Sequence, residues 1–206
     1  MHQKHRVSAS ITVALVLIGL LAWPATAQSP TASTVTGQAT GVQATVFGIL
    51  GTATTTVLSD SGAIGAISQE QDVSQDTGSV ASLLAADVLS SSTYSYADEV
   101  DSEASLGDLN LNVGSVSITA ASVMAKASQV LGAPSSLSSY IDNLSINGVS
   151  IIVTGSSNQT IPIPGGQVVC NEQTTSQSGV SVVNALHITV NGVVDVVVST
   201  ARVGIS

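Results

Sequence analysis

Charged side chains are scarce in this chain. Of its 206 residues only four are Lys or Arg and thirteen Asp or Glu, 8% in all, against roughly 25% in an average soluble domain. The formal net charge of -9 leaves no basic patch to neutralise phosphates, which excludes nucleic acid and anionic membrane surfaces as partners. Aromatics are scarcer still, at 2%, so a core has to be built from Val, Ile, Leu and Ala. Cys170 is the only cysteine and forms no disulfide within the chain. In Gln167-Val168-Val169-Cys170 the thiol falls at strand spacing from Val168 and reads as a small buried hydrophobe; an intermolecular bridge is the alternative. What is plentiful is apolar material, 44% of residues, too much for a disordered acidic tail.

The start of the chain has the pattern of an export signal. His2, Lys4, His5 and Arg6 make a basic opening, Ile11 to Trp23 an apolar run, and Ala25-Thr26-Ala27 a small-residue cleavage site. The run is shorter than the roughly 20 apolar residues that a bilayer span requires. We therefore expect cleavage after Ala27 by the general secretory route and no membrane span in the mature chain. No cysteine follows to accept a lipid, and no Arg-Arg pair marks the twin-arginine route. Cleavage leaves Lys126 and Arg202 as the only cations against all thirteen acids, and His187 as the only histidine. Residues 28–40 are Ser/Thr-rich and read as a flexible lead-in or a loosely held first strand. Residues 41–206 have a length suited to one domain.

Turn signals organise that domain. Asn147-Gly148 lies between Asp142–Ile146 and Val149–Val153, the strongest short-range mark of a two-residue hairpin; it places Leu144, Ile146, Val149, Ile151 and Val153 on one face. Asn191-Gly192 marks a second hairpin between Ala185–Val190 and Val193–Val198, and Gly114-Ser115 a third. Further extended segments are predicted at Gly41–Gly48, Thr52–Leu58, Leu89–Tyr96, Ser122–Val130 and Gln167–Glu172. Ser79–Leu89 fits a helix, with Val80, Leu83, Leu84 and Val88 at helical spacing. Three hairpins, abundant Val and Thr, and few runs of strong helix formers predict an all-β domain, a single antiparallel β-sandwich or a jelly roll.

Residues that carry chemistry are few. With Val190 opposite Val193, a two-residue turn sends His187 and Asp195 to opposite faces of the sheet, which argues against a triad, and no Gly-x-Ser-x-Gly elbow supplies a nucleophile. Asp98, Glu99, Asp101 and Glu103 form the densest set of hard oxygen ligands. They are the candidate site for Ca²⁺, although their spacing is not that of an EF-hand, and a solvated acidic loop is the competing reading. Asp60, Glu70, Asp72 and Asp76 make a looser acidic stretch of the same kind. Tyr94 and Tyr96 share a face of a candidate strand, an arrangement that can hold a sugar or simply pack under a loop. Asn143-Leu-Ser145 and Asn158-Gln-Thr160 match the glycosylation pattern, here read as chance.

Six segments carry a family resemblance: Ala44-Thr-Val-Phe-Gly-Ile-Leu-Gly51, Glu103-Ala-Ser-Leu-Gly107, Val123-Met-Ala-Lys-Ala127, Ile141-Asp-Asn-Leu-Ser-Ile-Asn-Gly148, Asn158-Gln-Thr-Ile-Pro-Ile-Pro-Gly165 and Val183-Asn-Ala-Leu-His-Ile-Thr-Val190 with the Asn191-Gly192 that follows. Together they resemble the choice-of-anchor P family of exported bacterial proteins. The resemblance implies a shared extracellular domain whose members carry different surface-sorting tails, and no enzymatic activity or catalytic residue. Here the sequence stops at Arg202-Val-Gly-Ile-Ser206 with no apolar span and basic tail, so secretion, or attachment through other molecules, is the expectation.

Two function classes follow. The first is an exported, non-enzymatic structural or surface-associated protein, self-assembling through strand edges or through residues 28–40 added to a neighbour's sheet. Its partners are itself or other extracellular components. The second is an extracellular module that binds carbohydrate or calcium. An enzyme ranks below both, because the residues that acid–base and nucleophilic catalysis most often use are nearly missing. Val193-Val-Asp-Val-Val-Val198 is apolar and β-prone, and Asp195 reads as its gatekeeper against stacking.

Overall fold

The computed structural model describes residues 34–48 and 51–206; the proposed leader and most of residues 28–40 lie outside them. Thirteen strands run in chain order: β1 (Val35–Phe47), β2 (Ala53–Asp60), β3 (Glu70–Val80), β4 (Leu84–Ser95), β5 (Glu99–Val113), β6 (Val116–Val130), β7 (Ser136–Asp142), β8 (Ser145–Ile146), β9 (Val149–Ser150), β10 (Gln159–Ile163), β11 (Gly166–Thr175), β12 (Ser181–Val190) and β13 (Val194–Ile205). They form two antiparallel sheets. One has the order β10-β11-β12-β13-β1-β2; the other runs β3-β4-β5-β6-β8-β9, with β7 also on β6. The all-β sandwich expected from the sequence is what forms. Neighbours are consecutive in sequence except β13 with β1 and β6 with β8, where β7 pairs with the same strand β6, a meander without the Greek keys of a jelly roll. Among the described residues no helix is long and apolar enough to cross a membrane.

The core is aliphatic, as the shortage of aromatics requires. Leu89, Leu109, Leu111, Ile118, Leu144, Leu186 and Ile188 are its largest fully buried side chains. Buried hydroxyls cross between the sheets: Ser199 Oγ donates to the Val123 carbonyl at 3.0 Å and Ser102 Oγ to the Arg202 carbonyl at 2.9 Å.

A crease crosses each sheet. Ser59, Ser199 and Asn171 take positive φ within β2, β13 and β11, yet the ladders resume beyond them in unchanged register. Thr40 pairs with Thr200 and Val42 with Val198, while Asn184 pairs with Thr200 and Leu186 with Val198. In the other sheet Val88 and Asp108 take positive φ within β4 and β5, where the ladder between them shifts register around Asp87, and Asn143 does so between β7 and β8. Inward apolar positions therefore step by three at the crease, from Ala39 to Val42 and from Val198 to Ala201, where an ordinary strand steps by two.

Three expectations need correction. Val35–Thr40 is no loose lead-in: it is the first half of β1, hydrogen-bonded to β13 along its length and to β2 at Thr40, with Ala39 fully buried. Ser79–Leu89 is no helix: β3 and β4 pair from Val80 opposite Leu84 across a turn that has Ser82 at φ 60°. The Asn191-Gly192 hairpin has a three-residue loop, because Val190 pairs with Val194 and only Gly192 takes positive φ. At the other two turns the reading holds. Asn147 and Gly148 both have positive φ between Ile146 and Val149, and Gly114 turns between Val113 and Val116. Val149, however, points out at 64% exposure instead of joining Leu144 and Ile146 in the core.

Candidate functional site

The outer face of the β3–β9 sheet gathers most of the residues singled out from the sequence. Glu99, Asp101 and Glu103 alternate along β5 with inward Val100, Ser102 and Ala104, and the ladder brings neighbours beside them. Asp101 pairs with Tyr94 and Ser128, Glu103 with Ser92 and Lys126, and Tyr94 also with Glu70. Lys126 Nζ sits 3.5 Å from Glu103 Oε2. Partial burial holds the Asp101 carboxyl above the usual carboxylate range, against the opposing pull of Lys126.

Tyr94 is a wall common to two grooves. One, of about 210 Å³, is shared with Ser92, Asp101, Glu103 and Lys126; the other, of about 260 Å³, with Glu70 and Tyr96. The two tyrosines thus meet at one groove, as their spacing predicted. The acids do not meet as metal ligands. Successive outward residues of a strand stand roughly 7 Å apart, whereas Ca²⁺ needs oxygens converging at roughly 2.3–2.6 Å. Among the described residues no three such side chains group to hold an ion: Glu99, Asp101 and Glu103 form a line along β5, and Asp98 lies in the bend before it.

The outer face of the other sheet holds the main surprise. The three-residue loop shifts the register by one, and the shift moves Asp195 onto the face of His187. His187 Nε2 lies 3.2 Å from Asp195 Oδ1, and Nδ1 lies 2.9 Å from Glu172 Oε2. Asn184 Nδ2 donates to the same Glu172 oxygen at 2.6 Å, and Thr200 Oγ1 donates to Asn184 Oδ1 at 2.9 Å. Carboxylates only accept, so both ring bonds form together only when His187 is the imidazolium. The Thr189 hydroxyl stands 3.5 Å from the same Nε2, at the limit of hydrogen-bond reach. The group clamps β11, β12 and β13 together. Asp195 accordingly sits on a central strand, paired on both sides with Thr189 and Thr45, where no open edge needs a gatekeeper.

A third feature was not anticipated. At one end of the sandwich a pocket of about 680 Å³ opens between the sheets, lined among others by Gln129, Ser135, Leu137, Gln173, Thr175 and Ser181. Gln129 Oε1 is buried without a hydrogen-bond partner, the only such side-chain atom among the described residues. A sequence signal did exist: Val123, Ala125 and Ala127 run inward along β6, and Gln129 breaks that apolar series.

Comparison with protein-family models, with curated proteins and with solved structures finds no match to this chain.

Proposed function

We propose that the chain is an exported, non-enzymatic structural protein of the cell surface or extracellular matrix, and that it associates with copies of itself by pairing β2 antiparallel to the β2 of a second copy. The observation that carries this reading is the edge that β2 presents. It is the last strand of its sheet, its eight residues carry one charge, at Asp60, and Ala53–Thr55 and Val57 are exposed. Val57, opposite Gln43, is 44% exposed, and Phe47, opposite Ala53 farther along the same face, is 42% exposed.

The other edges are blunted in recognised ways. β3 carries Glu70, Asp72 and Asp76; β10 is short and contains Pro162; β9 has two residues; and β7 gives its Leu137 carbonyl to Gln173 of β11. Copies of so acidic a chain approach with least repulsion through a surface that lacks charge. Strand donation by residues 28–40 is dropped from the reading, since Val35–Thr40 is committed to its own sheet. The signal-like sequence pattern of residues 1–27 and the resemblance to the choice-of-anchor P family support an extracellular setting.

The test is the molar mass of the purified chain by light scattering, in reductant. Dimers or larger species are expected for the wild type and for Val57→Thr, and monomers for Val57→Glu, which sets like charges near one another across the pairing. A wild type that stays monomeric at every concentration removes the reading. A carbohydrate-binding module is the second reading, favoured by Tyr94 as the wall between two grooves, one holding Asp101, Glu103 and Lys126 and the other Glu70 and Tyr96; loss of glycan binding in Tyr94→Ala would support it.

A further inference from the structure

The pocket beside Gln129 is set between β6 and β7 on one side and β11 and β12 on the other, and its lining carries no charge. We infer that it is a binding site for an uncharged, hydroxyl-rich ligand, a saccharide unit being the class it fits. Its volume of about 680 Å³ lies within the range of small-molecule sites, roughly 300–1,000 Å³. No Asp, Glu, Lys, Arg or His lines it. In a chain with thirteen acids that composition selects a neutral ligand.

The polar groups present ask for hydroxyls. Gln129 Oε1 has no donor, and its amide nitrogen makes only a long bond, 3.4 Å, to the Ala133 carbonyl. A buried acceptor left unpaired is unfavourable, and because the amide is held only by that long bond, a rotation of the Gln129 side chain, which lines the pocket, presents the oxygen to a ligand O–H that supplies the missing bond. Across the pocket three hydroxyls form a chain. Ser135 Oγ donates to Ser181 Oγ at 2.7 Å, and Ser181 Oγ and Thr175 Oγ1 are 2.9 Å apart. Each hydroxyl both donates and accepts, so the chain can reorient to meet the donor–acceptor groups of a sugar. Leu137 and Pro134 supply the apolar wall against which the C–H face of a pyranose packs. The site is independent of self-association, because β2 contributes nothing to it.

The experiment is a titration of the ¹⁵N-labelled full chain with three neutral trisaccharides, maltotriose, cellotriose and chitotriose. At least one is expected to give saturable shifts at the Gln129 side-chain amide and at Ser135, Thr175 and Ser181. Gln129→Met, which keeps the length and removes the acceptor, is expected to weaken that binding about tenfold. Thr175→Val should weaken it as well, whereas Tyr94→Ala should leave it unchanged. If Gln129→Met does not fold, Gln129→Glu, which keeps the shape, serves instead and is expected to alter the affinity. Absence of shifts with all three sugars overturns the inference, because the orphaned oxygen then needs no more than a solvent molecule. Shifts confined to the Tyr94 grooves, or indifferent to Gln129, overturn it equally.

Discussion

Cys170 faces inward from β11 with no exposed surface, and burial pushes its thiol up to about 11 from an ordinary value of 9.0. The folded chain therefore keeps a proton that the unfolded chain releases between those values. Stability falls as pH rises through that window and is untouched by this group below it. Cys170→Ala should lose less stability than the wild type between pH 9 and 11, read from denaturant midpoints; parallel losses would contradict this. The native thiol should also resist maleimide and react fully once the chain is unfolded, which leaves no place for an intermolecular bridge in the folded protein. His187 is the other residue on which the sheet depends. His187→Ala removes the clamp between Glu172 and Asp195 and should cost about 1 kcal/mol, a modest figure because all three side chains are partly solvated. Single residues were unevenly legible: the burial of Cys170 and the shared face of the tyrosines follow from strand spacing, whereas the pairing of His187 with Asp195 depends on a loop length that Asn-Gly leaves open.

At the scale of elements, the creases explain most of what sequence pattern misjudged. Val80, Leu83, Leu84, Ala86 and Leu89 are all buried, and a turn followed by a crease spaces them by three and by one, which imitates a helix. The same device separates Ala39 from Val42 and hides the continuity of β1 from a reader who follows alternation by twos. Asn143, Asn171 and Asp108 suit positive φ because Asn and Asp are the non-glycine residue types that adopt it most readily. Val88 does not. It is β-branched, lies at φ 50° and is 71% exposed, so its side chain returns little burial for the strain. Val88→Asn should raise stability by about 1 kcal/mol, seen as a higher urea midpoint at unchanged slope. A lower midpoint would show that Val88 contributes packing here. The hairpins at Asn147-Gly148 and Gly114-Ser115 were legible because their turn chemistry is specific; the third was misjudged by one residue, enough to exchange the faces of β13.

Over the whole molecule, the meander order closes the first described strand on the last through β1 and β13 and leaves Ala53–Leu58 of β2 as an uncharged edge, while Ser59 at its end is bonded to Val73 and Gln75 of β3. A net charge of -9 opposes the approach of two copies, so association through that edge should strengthen as salt is raised from ~0.01 M, where the screening length is ~30 Å, to ~0.15 M, where it is ~8 Å. Light scattering across that range checks it, and weakening with salt would point to paired charges and not to a bare strand edge. The all-β class was legible from composition and turns, because Val-rich segments between turn signals admit little else. Which edge is open was not, since that depends on strand order. The most direct measurement is amide hydrogen exchange at low and high protein concentration. Pairing of β2 between copies predicts slowed exchange in Ala53–Leu58 at high concentration, with β3 and β10 unchanged. Protection that appears in β3 or β10, or nowhere, would contradict it.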